Sequence, residues 1–451
     1  MKSKWLKLVT VVMAFSFIAA ACGDDGGSST TATTAAPATT AAPSNPLEGA
    51  SVTVTGPERA EEEAGAIQQA LDIFAAANGM TITYTGDADW ESNINTQVEG
   101  GNPPDISIFP QPGKLADFAR AGTLKPLGDS AAAATASNWS DAWTTFGNVD
   151  GVQYGVPVKT DLKSLVWYQP AAFAAAGYEV PTTWDDLVSL SKQMIADGNT
   201  PWCVGIESGQ ATGWTFTDWV EDLMLRTVGA DVYDQWVAHD IPFNDSRVVD
   251  VFNMVGDLWG TDGAVFASGG SIAATAFQDN GEPLVNGDCF MHRQASFYAA
   301  FFPEGTVYAD GSDGAVDVFY FPSINGDKPV LGAGTLAAGF NADPATEAVL
   351  EYFSTAAYAE ARQTAQTALK GGGLSGFLSA AKGQDESIYQ GLEQSFLGIL
   401  SSAEVVRFDA SDLMPADVGA GTFWTEGTSF VNGDETAQEA ADTIEASWPA
   451  G

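Results

Sequence analysis

Five short stretches of this chain gather aromatic rings, carboxylates, amides and an arginine just past the ends of extended runs. They are Gly56–Arg59, Asp87–Trp90, Phe109–Pro112, Glu207–Trp214 and Gln294–Phe297. A ring offers a flat apolar face, while carboxylate, amide and guanidinium groups offer planar polar edges. That mixture suits holding an uncharged solute with C–H faces and many hydroxyls. It does not suit making or breaking bonds. The sequence has no Gly-x-Ser-x-Gly elbow, no phosphate-binding Gly-x-x-x-x-Gly-Lys-[Ser/Thr] loop and no zinc-ligand spacing. His239 and His292 stand alone, and no Cys-His pairing is readable. A glycoside hydrolase needs two carboxylates at a fixed separation. With 58 acids in the chain, such pairs carry no information. The reading is of a binding protein, not an enzyme, with no cofactor and no metal site.

Composition bounds the partners. At 451 residues and 45% hydrophobic content the chain can build two cores. The formal charge of −40 lacks the basic footprint that nucleic acid or an anionic membrane surface requires; adaptation to a saline habitat accounts for it. Lys2, Lys4 and Lys7 precede an apolar run, Leu8–Ala21, too short to span a membrane. Small residues before Cys22 make residues 1–21 similar to a bacterial lipoprotein signal, although Ala19 stands where a Leu is usual. That resemblance implies cleavage before Cys22, acylation of its thiol and an anchor on the outer face of the cell membrane; a plain secretory signal is the alternative. Loss of the three lysines takes the charge to −43. Residues 22–47, rich in Thr, Ala, Pro, Ser and Gly, read as a flexible tether. Cys203 and Cys289 form an even pair that points to a disulfide in an exported chain, with two reduced core cysteines as the alternative.

The elements that place these stretches alternate between strand and helix. Ser51–Thr55, Met80–Thr85 and Pro104–Phe109 read as strands, separated by helices at Glu58–Asn78 and Asp87–Gly100. Such units imply a parallel sheet with ligands outside the carboxyl ends of its strands. Val156–Lys163 reads as a hinge strand. The alternation then restarts with helices at Pro170–Ala176, Trp184–Asp197, Thr217–Arg226 and Arg247–Trp259, and Leu331–Asn341 leads back to one helix at Pro344–Ala361. The expected division is lobe 1 over 48–158 and 331–368, and lobe 2 over 159–330 and 369–451.

Five segments in this order resemble the carbohydrate-binding proteins of bacterial ABC importers, family 1 of the extracellular solute-binding proteins, in the α-glucoside and maltose-binding branch. They are PDISIFPQPGKLADFARAGTLKPL (Pro104–Leu127), GVPVKTDLKSLVWYQ (Gly155–Gln169), PTTWDDL (Pro181–Leu187), GDCFMHRQASF (Gly287–Phe297) and RFDASDLMPADVGAGTFW (Arg407–Trp424). The resemblance implies a type II periplasmic-binding-protein fold: two α/β lobes, a hinge crossed several times and a ligand cleft between them. It also implies a bonded Cys203–Cys289 pair.

Carried over by position, the family's ligand contacts fall on Glu58, Arg59, Phe109, Gln111, Asp161, Trp214, Phe297 and Trp424; Trp90, just past a strand end, is a further candidate, with capping of its own helix as the alternative. Relatives often have Gly-x-Trp where this chain has Ala295-Ser296-Phe297, and maltose binders have an acid where Pro112 stands, so maltose itself is not implied. The expected ligand is an uncharged oligosaccharide, most simply an α-glucoside disaccharide. The expected partners are that carbohydrate and a membrane permease pair, with the protein a monomer. The rival readings are a binder of another solute (a polyol, a glycerophosphodiester or a peptide), a secreted glycoside hydrolase, and an adhesin or sensor. The shortage of basic residues weighs against anionic ligands.

Overall fold

A computed structural model describes residues 45–449. Two sheets carry most of the strands of the described residues, and a small hairpin pairs Asn148–Val149 with Val152–Gln153. In the first, Val406–Phe408, Val330–Gly339, Ile106–Phe109, Ser51–Gly56 and Thr81–Gly86 lie in that order, and Gly155–Leu162 pairs with Val330–Gly339. Ser51–Gly56 runs parallel to both neighbours, as the strand–helix alternation predicts. Val330–Gly339 runs antiparallel to Ile106–Phe109 and Gly155–Leu162, so the sheet is mixed. The second sheet orders Asp317–Tyr320, Leu165–Tyr168, Met291–Arg293, Trp202–Cys203 and Val265–Phe266. The chain passes from one sheet to the other between Leu162 and Leu165 and returns between Tyr320 and Val330.

Hydrophobic periodicity explains the packing. On helix Glu61–Asn78 the buried face is Glu63, Ala66, Ile67, Ala70, Leu71 and Ala75, a stripe of period 3.6 closed by Gly79 in the left-handed region. It packs with Val52, Val54, Ile82 and Ile106 under the first sheet. The second sheet has a separate core that includes Trp202, Trp219, Trp236 and Phe252.

Several expectations need correction. The helix predicted over Pro344–Ala361 is two helices, Pro344–Phe353 and Ala356–Leu369. Thr355 breaks it by capping the second through its side chain, which accepts from Tyr358 N. The strand predicted through Trp202–Ile206 keeps only Trp202–Cys203. Segment 369–451, expected in lobe 2, lends Val406–Phe408 to the edge of the first sheet. In the acidic run Glu61–Glu63, Glu63 falls on the apolar stripe and is buried. Cys203 and Cys289 are bonded, with Cα atoms 5.5 Å apart.

Candidate functional site

Between the sheets lies a cleft of about 320 Å³, the lower end of the range for small-molecule sites. Seven of the nine expected contacts line it: Glu58, Arg59, Gln111, Asp161, Trp214, Phe297 and Trp424. Trp90 and Phe109 do not. Both belong to a core cluster beneath the first sheet, packed edge to face at 5.3 Å, and the Trp90 indole N–H donates to Ser107 Oγ at 2.9 Å. The helix Trp90–Glu99 turns its first residue into the core and its next, Glu91, toward the cleft.

The floor of the cleft is the strand Gly155–Leu162 and the residue after it. Strand alternation puts Lys159, Asp161 and Lys163 on one face, and all three line the cleft. The lysines were missed at the sequence level, although the period-two spacing around Asp161 was there to read. Each lies against a ring: Lys159 Nζ is 5.0 Å from the Phe297 centroid and Lys163 Nζ is 5.5 Å from that of Trp214. Phe297 is held close by its neighbour, since Leu162 N donates to Ser296 Oγ at 3.0 Å. Trp214 opens the helix Trp214–Val228 directly after Gly213, whose φ of 112° suits only glycine. A Cβ at position 213 would also lie 2.3 Å from the Trp424 carbonyl oxygen, so this glycine brings the two indole-bearing segments together.

Around Lys159, Glu58 is buried and within 3.3 Å of the ammonium, with Asp161 at 3.5 Å. Burial alone would raise the Glu58 pKa, but Arg362 and Lys159 outweigh it and hold the carboxyl at about 2. Burial and the neighbouring Glu58 push Glu63 up to about 7. Burial also raises Asp161, against the pull of Lys159.

Around Lys163, the ammonium lies 2.7 Å from Asp218 and bonds Asp409 as well. Burial raises Asp218 to about 6 and raises Glu221 and Asp412 well above the carboxylate range. Burial would raise Asp409 too, but Lys163 and the Asp412 amide, which both hydrogen-bond it, help outweigh that and hold the carboxyl at about 2. Carboxylate oxygens of Asp218, Glu221 and Asp409 lie within 4.8 Å of one another, a spacing that could hold a metal ion. Lys163 already supplies a cation to two of the three.

What the cleft offers a ligand is read from its unpaired polar atoms. Glu58 Oε2, Gln111 Oε1, Asp161 Oδ1 and Asp218 Oδ2 are buried acceptors without a hydrogen-bond partner (Arg293 Nη1 lies 3.4 Å from the last), the Thr335 hydroxyl is unpaired, and the Trp424 indole N–H is an unpaired donor. Buried polar groups are ordinarily paired, so this concentration in one cleft marks a surface completed by something else.

Comparison with known proteins agrees with this architecture. Residues 59–366 match the family described as bacterial extracellular solute-binding protein. The osmoprotective compounds-binding protein GgtB of Synechocystis sp. is 41% identical over 404 residues, 88% of this chain and 92% of its own length. The alpha-glucosides-binding periplasmic protein AglE of Rhizobium meliloti is 40% identical over 417 residues, 89% and 88% of the two chains. Among solved structures, the bacterial solute receptor AcbH, with its exclusive preference for β-D-galactopyranose, superposes with a TM-score of 0.73 at 21% identity, over 88% of this chain and 98% of its own. RafE in complex with raffinose gives 0.67 at 16% identity, over 88% and 98%. At those identities the structures speak for the fold alone, a type II binding-protein fold. The family is one of substrate-binding proteins, not enzymes, and with its pattern running through two thirds of the sequence this chain belongs to the bacterial extracellular solute-binding proteins.

Proposed function

We propose that this chain is the capture component of an ABC importer for an uncharged α-glucoside of disaccharide size, bound in the cleft between the two lobes. The observation that carries the reading is the imbalance of unpaired groups. Four buried acceptors face one buried indole donor, with Thr335 able to serve either way. Such a surface asks for a ligand rich in hydroxyl donors. Trp214, Phe297 and Trp424 add rings against which the C–H faces of a sugar can pack. The relative named for α-glucosides supports the linkage class, and the relative named for osmoprotective compounds supports a glucosyl polyol as the alternative reading.

In this reading the ligand contacts are Glu58, Arg59, Gln111, Asp161, Trp214, Phe297 and Trp424. Ligand held by both lobes stabilises the closed form, which docks as a monomer on a permease pair. Among the described residues no helix is long and apolar enough to cross a membrane. Attachment through an acylated Cys22 belongs to the proposal; that residue lies outside the described ones.

Tryptophan fluorescence tests the reading. The purified protein is titrated with trehalose, sucrose, maltose, glucosylglycerol and a plain polyol. The expected result is a saturable change with at least one glucoside, lost in Trp424→Ala. A flat response from folded protein across the whole panel overturns it.

A further inference from the structure

Arg362 lies on the helix Ala356–Leu369, fully buried, and is absent from the cleft wall. Its Nη2 donates to Glu58 Oε1 across 304 residues of sequence, and its guanidinium sits 4.5 Å from the centre of the Phe377 ring. Lys159 Nζ approaches the same Glu58 oxygen at 3.3 Å. Two cations therefore take Oε1, while Oε2 has no partner. The Tyr84 hydroxyl donates to the Glu58 carbonyl oxygen at 2.8 Å and fixes the turn from which the carboxylate projects.

We propose that Arg362 is a positioning residue of the binding site: it grips one oxygen of Glu58 so that the other is presented to a ligand hydroxyl as a fixed acceptor. The proposal rests on the reading of the cleft as a sugar site. It explains an otherwise costly arrangement, since an acid in this place meets two further acids. Glu63 is faced by Glu58 from the adjoining turn, by Lys159 and Asp161 from the hinge strand and by Arg362 from the return helix. With Arg362 in place, the proton that so crowded a group of carboxyls retains sits on Glu63, which titrates near 7, and Glu58 stays charged. Without Arg362, burial and two acidic neighbours favour protonation of Glu58 itself.

The test is calorimetric titration with trehalose, sucrose and maltose at pH 5.5 and 7.5, on the parent, Arg362→Met, Arg362→Lys, Glu58→Gln and the double variant Glu58→Gln/Arg362→Met. The sugar that the parent binds is expected to bind Arg362→Met about tenfold more weakly at pH 7.5, the scale of a hydrogen bond to a charged group, with a larger loss at pH 5.5. Arg362→Lys recovers much of the loss. The double variant, which also relieves the stranded buried charge if Arg362→Met alone folds poorly, binds no worse than Glu58→Gln. A loss that is equal at both pH values, or that adds in full to that of Glu58→Gln, makes Arg362 merely structural and overturns the proposal; so does an Arg362→Met variant that binds like the parent. Carboxyl 13C NMR reads the grip without ligand: Glu58 titrating in the ordinary carboxylate range in the parent overturns the proposal whatever the sugars do. A parent that binds none of the three sugars while Glu58 stays ionised to low pH overturns instead the sugar reading and the ligand role given to Oε2.

Discussion

Lys159 and Lys163 stand four residues apart on one face of the same chain segment, each against an aromatic ring, yet the carboxylates around them are satisfied in opposite ways. At Lys159, acids and cations come from the Glu58 turn, the hinge strand and the remote helix that carries Arg362, and two carboxylates keep one free oxygen each. At Lys163 the acids outnumber the local cations. Glu221 and Asp412 answer by holding protons, and Asp409 spends its oxygens on Lys163, Ser411 and the Asp412 amide. The Lys159 cluster faces outward toward a ligand. The Lys163 cluster also lines the cleft, but it ties the hinge to helix Trp214–Val228 and to the segment from Asp409 to Asp412. A buried ion network can thus serve as a site or as a rivet, and the count of unpaired carboxylate oxygens, two in each cluster, does not tell which. What differs is that Asp218 Oδ2 has Arg293 at 3.4 Å and Glu221 holds a proton, whereas Glu58 is ionised with Oε2 free.

The largest expected effect falls on the half built around the Leu165–Tyr168 sheet, which alone contains the Cys203–Cys289 bond. The bond closes a loop across 86 residues. Replacing both cysteines with serine is expected to cost about 4–5 kcal/mol in the chain-entropy picture, measured by urea unfolding. A loss below about 1 kcal/mol would detach the bond from the stability of this half. Lys163→Met follows, because it strands Asp409 in a buried place and leaves Asp218 only Arg293 at 3.4 Å. A loss of about 3–5 kcal/mol is expected, above that of Lys159→Met, where Glu58 keeps Arg362 and only Asp161 is stranded. Equal losses would erase the distinction between rivet and site.

Much of this comparison was legible in the sequence, and the illegible part has a physical reason. Strand ends announce themselves through local pattern, so Glu58, Arg59, Gln111, Trp214 and Phe297 could be placed at the cleft from runs of β-branched residues and the turns after them. The direction of a single side chain is not local. Trp90 and Glu91 are adjacent at a helix start, and only the position of the sheet behind them sends the ring to the core and the acid to the cleft. Arg362 is harder still, since its partner is 304 residues away and nothing in its own helix marks it. Glu63 was readable in principle. Its spacing to Ala66, Ile67 and Ala70 puts it on the apolar stripe, but a run of three acids masks one that is buried.

Each cluster carries both signs of pH dependence of stability. Glu63, raised to about 7, and Asp218, raised to about 6, bind more protons folded than unfolded, so their contribution is full below the ordinary carboxylate range and is lost as pH rises through 6 to 7. Glu58 and Asp409, held near 2, act in the other direction: their contribution is present above the ordinary range and is lost as pH falls toward 2. The melting temperature is therefore expected to peak in mildly acid solution and to fall between pH 5 and 8. Glu63→Gln should flatten part of that fall and leave the acid limb in place. An unchanged curve would mean that Glu63 does not hold its proton in the folded protein.

The smallest effect separates two indoles. Trp90 and Trp424 are both almost wholly buried, but the Trp90 N–H is spent on Ser107 and that of Trp424 has no partner. Replacing either with phenylalanine keeps a ring and deletes the donor. At Trp90 the loss leaves the Ser107 hydroxyl short of a donor beneath the first sheet. That should cost about 1 kcal/mol of stability and leave sugar affinity unchanged. At Trp424 the deleted donor had no protein partner, so stability should hold, and a ligand oxygen should lose its bond, weakening affinity several-fold. If Trp90→Phe weakens binding and Trp424→Phe does not, the ring that the fold buries is the one that the ligand uses, and the boundary between core and cleft runs elsewhere.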